Sequence, residues 1–174
     1  MITLTPRIVV NEKFPELLVF QKKTIKLVKW HRNDMIRELH KGELDIAMQI
    51  WLEANIQAHG FIPKSYWQAN YEMVKGLLPE ARILVFEESG EVKGFAGLTG
   101  NYIAGIFVDP KSQSKGIGKS LLDFIKQQYS HLSLHVYKKN AGAIKFYLRE
   151  GFEIAKERIA ENNGEPELEM TWAK

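Results

Sequence analysis

The stretch Val108-Asp-Pro-Lys-Ser-Gln113-Ser-Lys-Gly116-Ile-Gly118-Lys-Ser120 decides the reading of this chain. An apolar strand closes at Asp109 and Pro110, glycines follow at 116 and 118, and Ile117, Leu121, Leu122 and Ile125 then recur at helical spacing. A strand running through a glycine-rich loop into a helix is an anion cradle. Glycine lets the backbone come close, and the free amides of a helix N-terminus, aided here by Lys115 and Lys119, suit a pyrophosphate.

Three ligand classes use such a cradle. A nucleotide P-loop needs Gly-x-x-x-x-Gly-Lys-Ser/Thr; Gly118-Lys119-Ser120 matches its end, but Gln113 stands where the first glycine belongs. A dinucleotide fingerprint needs Gly or Ala where Leu121 stands, and no parallel βαβ unit opens the chain. The third class comes with a second block, Leu134-His-Val136-Tyr-Lys-Lys-Asn140-Ala-Gly-Ala143-Ile-Lys-Phe146-Tyr147-Leu-Arg-Glu-Gly151-Phe152, which reads as strand, helix and glycine stop.

Gln113-x-x-Gly116-x-Gly118 resembles the acetyl-CoA signature of the GNAT superfamily of N-acetyltransferases, and the second block is similar to that family's Asn-x-x-Ala-x-x-x-Tyr helix with its following Gly-Phe. The resemblance covers about 35–172. It implies an α/β (α+β) fold with a mixed, mostly antiparallel sheet of about six or seven strands and about four helices. It implies acetyl-CoA as acetyl donor and direct transfer to an amine. Backbone groups of Ile106, Phe107 and Val108 would face the pantetheine and thioester. The loop Gln113, Ser114, Lys115, Gly116, Ile117, Gly118, Lys119 and Ser120 would hold the pyrophosphate, and Asn140 the CoA arm. Tyr147, near the sulfur, would protonate the leaving thiolate.

The acceptor sets a proton problem. An alkyl ammonium of pKa about 10.4 is neutral in about one part in 2,500 at pH 7, roughly 4.6 kcal/mol short of attack. The strand Tyr102 to Val108 lacks the carboxylate that many family members place there. Members that modify protein N-termini carry a glutamate base five residues before the Asn, which is His135 here. Strand alternation sets His135 opposite Leu134 and Val136, and imidazole accepts protons near neutrality. His59, in a His-Gly-Phe-Ile segment similar to one in some bacterial members, is a candidate for binding substrate or relaying a proton. Each site residue also has a plainer role. Asn140 is a natural helix N-cap, Tyr147 a core tyrosine, His135 an exposed strand histidine, and Trp51, Tyr66, Trp67 and Tyr71 helix-packing aromatics. Trp67 is the aromatic assigned to the acceptor pocket.

The rest of the chain agrees with one domain. Its 174 residues suit a single core, and 45% hydrophobic with 26% charged residues excludes compositional disorder. There is no cysteine, which removes disulfides, thiolate nucleophiles and thiolate metal sites; no metal is expected. The net charge of +3 is concentrated early. Residues 1–34 hold seven Lys or Arg against three acids, leaving 17 basic and 18 acidic residues after them. That near-neutral remainder argues against a nucleic-acid partner. No run is long enough for a membrane span and no signal peptide opens the chain, so the cytoplasm is expected. The oligomeric expectation is a monomer or homodimer.

Residues 1–34 lack a sustained period and read as an extension, with Met35 a possible natural start and 35–174 the acetyltransferase domain. Within that domain the expected order is β-α-α-β-β-β-α-β-α-β-β. The spacing predicts a helix over 43–59, a second between Pro63 and Pro79, a hairpin at Ser89-Gly90, and a last hairpin at Asn163-Gly164. Acceptors from a protein lysine or N-terminus to a small-molecule amine fit equally. A CoA-binding sensor without turnover is the alternative from another class, and a nucleotide switch using Gly118-Lys119-Ser120 is a second rival.

Overall fold

The structure is a computed structural model describing residues 34–161 and 163–174. Its strands are β1 (Asp34–Glu38), β2 (Arg82–Glu88), β3 (Glu91–Thr99), β4 (Tyr102–Val108), β5 (His131–Tyr137), β6 (Glu153–Ile159) and β7 (Pro166–Ala173). Its α-helices are α1 (Leu44–Ala58), α2 (Lys64–Ala69), α3 (Tyr71–Leu77), α4 (Ile117–Gln128) and α5 (Ala141–Arg149). One sheet results, in the order β1-β2-β3-β4-β5-β7-β6. Most of the expectation about the extension concerns residues outside those described; Asp34 already belongs to β1.

The β2–β3 turn follows directly from its residues. Ser89 (φ 53°) and Gly90 (φ 83°) both take left-handed backbone, which a two-residue turn between right-twisted strands requires. The expected helix between Pro63 and Pro79 is two short helices. Asn70 breaks it, its side-chain Nδ2 donating to Tyr66 O at 2.7 Å and so competing with the helical ladder. At the other end, the β6–β7 connection is longer than Asn163-Gly164 suggests. It runs from Ala160 to Glu165, closed by Ala160 N–H to Glu165 O, and of that dipeptide only Gly164 is left-handed.

β4 and β5 form the one parallel pair among the described residues, joined through α4 as a parallel crossover demands. They pair only at Tyr102↔Ser133 and Ile103↔Leu134. Beyond that point the strands part, and a fork opens in the middle of the sheet.

A bulge adjoins the fork. β3 pairs Gly97 with Gly105 but Leu98 with Ile103, leaving Ala104 as the extra residue. Without it, Ile106 and Val108 would lie on the face opposite Ile103. With it, all three pack beneath α4 and α5, in a core that includes Leu84, Phe86, Leu98, Leu121, Leu134, Phe152 and Met170. Phe107 turns the other way, into a second core with Met48, Trp51, Trp67, Val85 and Phe95 under α1 to α3. Burying two such cores, one on each sheet face, is the main stabilising contribution. Gly94 permits their junction: a Cβ there would lie 2.8 Å from Phe107 O and 3.1 Å from Ile117 Cγ2.

Candidate active site

The fork opens into a cleft of about 560 Å³ lined by α1, β4, the glycine loop and α5. Among its walls are Ala54, His59, Ile106, Phe107, Val108, Gln113, Gly116, Gly118, Asn140, Phe146 and Tyr147. The two sequence blocks thus meet across one space.

The β4 wall exposes backbone because β5 has left it. Asp109 N–H donates to Lys93 O at 2.9 Å, toward β3. By strand alternation the polar groups of Val108 and Ile106 then point into the gap, while those of Phe107 face β3. The Val108 carbonyl is met there by Gln113 Nε2 at 3.3 Å. Gln113 Nε2 also donates to Gln57 Oε1 at 3.1 Å, tying the loop to α1.

The loop presents a helix N-terminus with open amides. Gly116 is its N-cap, left-handed at φ 90° and without a side-chain cap, and Ser114 is also left-handed at φ 62°. The first bond of the helix runs from Ser120 N–H to Gly116 O at 2.9 Å, so the amides of Ile117, Gly118 and Lys119 have no acceptor within the helix. A Cβ on Gly118 would project between Ile106, Val108 and the Phe146 ring, at 3.8 to 3.9 Å from each. A pyrophosphate-bearing ligand fits this cradle. Of the expected loop residues, Lys115 and Ser120 do not line the cleft. Lys119 Nζ is held by Asp123 (2.8 Å) and Glu150 (3.2 Å), which raise its pKa above the usual lysine range.

The opposite wall is α5. Asn140 caps it by accepting from Ala143 N–H at 3.1 Å through Oδ1. That leaves Nδ2 toward His59 Nε2 at 3.1 Å, so Asn140 donates and the imidazole accepts. Burial lowers the His59 pKa, as suits a ring facing an amide donor. The His59 ring stacks on Trp67 at 5.2 Å and meets Tyr137 edge-on at 5.2 Å. Trp67 therefore stands behind His59 and does not itself line the cleft.

Tyr147 is buried between Phe146 and Phe152 and borders the cleft. Burial pushes its pKa well above the ordinary tyrosine range, with a smaller push from Tyr102. Its phenol therefore stays protonated at neutral pH. His135 sits just past the last β4–β5 pair, outside the cleft lining, with Nδ1 3.1 Å from the Tyr102 hydroxyl. Reading the sequence alone did not single out Tyr102. The signal was a lone hydroxyl heading an otherwise apolar strand, meaningful only once the register with β5 was known.

A family model described as an acetyltransferase (GNAT) domain matches residues 53–174. The chain belongs to the GNAT family. This enzyme is an acetyl-CoA-dependent N-acetyltransferase. It is similar to the peptidyl-lysine N-acetyltransferase YiaC of Escherichia coli (strain K12), with 37% identity over 140 residues, 79% of this chain and 96% of that one. It is also similar to the peptidyl-lysine N-acetyltransferase YjaB of Salmonella typhimurium (strain LT2), with 30% identity over 75% of this chain and 91% of that one. The solution structure of apo-form YjaB from Escherichia coli superposes with TM-score 0.73 at 25% identity, covering 80% of the enzyme and 97% of that chain. The PaiA N-acetyltransferase from Thermoplasma acidophilum, solved with coenzyme A, shares the fold with TM-score 0.68 at 18% identity, covering 81% of the enzyme and 99% of that chain. No helix among the described residues is long and apolar enough to cross a membrane.

Proposed function

We propose that the enzyme acetylates the ε-amine of lysine side chains in proteins, in the cytoplasm. The observation carrying this reading is the 37% identity to a peptidyl-lysine N-acetyltransferase across 96% of that relative's length. The chain's own residues agree. At His59 the cleft adjoins an aromatic cluster with Phe61 and Tyr137, the three rings lying within 5.8 Å of one another, a surface suited to the apolar stem of a lysine.

Bound acetyl-CoA supplies an activated thioester carbonyl. The open amides of Ile117, Gly118 and Lys119 take the pyrophosphate, and the gap-facing amides of Ile106 and Val108 stabilise negative charge building on the carbonyl oxygen. Tyr147, held neutral by burial, gives its phenolic proton to the departing sulfur and takes up in its place the second proton that the acceptor nitrogen sheds on becoming an amide. His135 is the base that draws the acceptor's proton away. His59 and Asn140 hold the two walls at a fixed separation, and the CoA arm passes beside Asn140.

The test is acetyl transfer to lysine-bearing peptides, followed by mass spectrometry, with N-terminal amines, spermidine and free amino acids as competitors. The expected result is acetylated lysine in peptides. Transfer confined to a small amine would overturn the acceptor assignment, and tight acetyl-CoA binding without transfer to any amine would favour a non-catalytic CoA sensor.

A further inference from the structure

The acceptor ammonium must lose a proton, yet no carboxylate lines the cleft, and the one imidazole that does already has Nε2 facing Asn140. The proton must leave by a route just beyond the lining. The closed end of the fork holds such a route.

Tyr102 is the last β4 residue but one before the strands part, and its hydroxyl lies 3.1 Å from His135 Nδ1. Across the β5–β7 ladder His135 is paired with Glu169, whose Oε2 lies 3.6 Å from His135 Nε2. Glu167 Oε1 is 4.0 Å from Nδ1. From β6, Lys156 holds Glu169 at 3.1 Å and Arg158 holds Glu167 at 3.1 Å. These are the titratable and charged groups facing the imidazole among the described residues. A carboxylate beside Nε2 favours a proton there, which leaves Nδ1 as the acceptor and makes the Tyr102 hydroxyl the donor.

We propose that Tyr102 is a catalytic residue that carries the acceptor's proton to His135, with Glu169 as the positioning residue that fixes the receiving tautomer. The proposal rests on the reading of His135 as base. In the transfer, an N–H bond of the ammonium breaks as an O–H bond forms on Tyr102. The original Tyr102 O–H bond breaks as Nδ1–H forms on His135. The resulting imidazolium, 24% exposed at its side chain, releases one proton to water and settles again as the Nε2–H tautomer beside Glu169. One proton passes from ammonium to solvent, and nothing is oxidised or reduced.

The experiment has two readouts. Long-range nitrogen–proton NMR of the histidine rings, on the intact protein, should show His135 with its proton on Nε2, and Tyr102→Phe should shift it toward a tautomer mixture. With a lysine-bearing peptide, Tyr102→Phe should lower kcat about 10- to 100-fold and leave the KM for acetyl-CoA unchanged. The Tyr102→Phe/His135→Phe double variant should be no slower than His135→Phe alone. Glu169→Gln should move the His135 proton from Nε2 toward Nδ1 in the same NMR measurement while Glu169→Asp keeps it on Nε2, a contrast that a purely structural role would not produce. A His135 proton on Nδ1 in the unaltered protein, Tyr102→Phe activity within twofold at every pH, or multiplicative losses in the double variant would overturn the proposal. If the unaltered enzyme acetylates spermidine and not the peptide, the acceptor assignment fails while the same variants test the relay with spermidine. If no amine is acetylated, the proposal is overturned together with the reading of His135 as base, whatever the tautomer.

Discussion

Asn140 and His59 join the two walls of the cleft through a single hydrogen bond, 3.1 Å from amide Nδ2 to imidazole Nε2. The residues are 81 apart in sequence, one capping α5 and the other closing α1. The cap fixes the amide's orientation, and the amide fixes the imidazole's tautomer.

Replacing Asn140 with Ala should therefore cost about 1 kcal/mol in urea denaturation for the lost cap alone, and Asn140→Ser should recover most of it. The latch also has a pH signature. The folded pKa of His59 is lowered, so its contribution is complete above the unfolded value near 6.5 and is lost as pH falls below it. His59→Gln should flatten that part of the stability profile.

Tyr147→Phe should slow transfer about 10²- to 10⁴-fold and leave acetyl-CoA affinity in calorimetry within a few-fold of the parent. Folding should not suffer, since Phe146 and Phe152 still have a ring to pack against. The burial-raised pKa also predicts that the parent loses stability as pH rises above about 10, where the unfolded tyrosine ionises and the buried one does not. That alkaline loss should shrink in the variant.

Two glycines near the loop should respond oppositely. A Cβ at Gly118 meets only ordinary contacts, the nearest at 3.8 Å, but it enters the space between β4 and Phe146. Gly118→Val should weaken acetyl-CoA binding at least tenfold while the thermal midpoint stays within a few degrees. A Cβ at Gly94 strikes backbone at 2.8 Å, so Gly94→Ala should destabilise the fold by about 1–3 kcal/mol, read as a shifted urea midpoint.

Acid stability should depend on Glu43. Hydrogen bonding from Arg37 holds its pKa at about 2, and Arg37 is shared with Glu87 at 2.6 Å. A depressed carboxylate contributes stability above its unfolded value near 4.5 and loses it as pH falls toward about 2. Glu43→Gln should lower stability at neutral pH and make the acid decline shallower in that window.

Much of this arrangement is legible in the chain. Gly116, Gly118, Asn140 and Tyr147 announce themselves through spacing, because a loop-to-helix turn and two helical turns are local geometry. What escapes is set by pairing between distant strands. The apolar run Ile103 to Val108 gives no hint of the Ala104 bulge, since both phases of its alternation are hydrophobic. Lys119 reads as a cation available to an anion until the register of α4 and α5 sets Glu150, at the end of α5, beside it. Trp67 reads as a candidate pocket wall, yet it stacks on His59 and supports the wall from behind, a contact between residues of separate elements. Tyr102 acquires a partner only through the register that sets it beside Ser133, two residues before His135.

The fork has a mechanical consequence. With β4 and β5 joined over only two residue pairs, the sheet is in effect two plates, of four strands and three, touching at one short seam. A donor molecule lying in the gap stands in for the missing length of strand and braces the plates against each other. The enzyme is thus stiffest while loaded, and each turnover removes the brace that the next molecule of donor must restore.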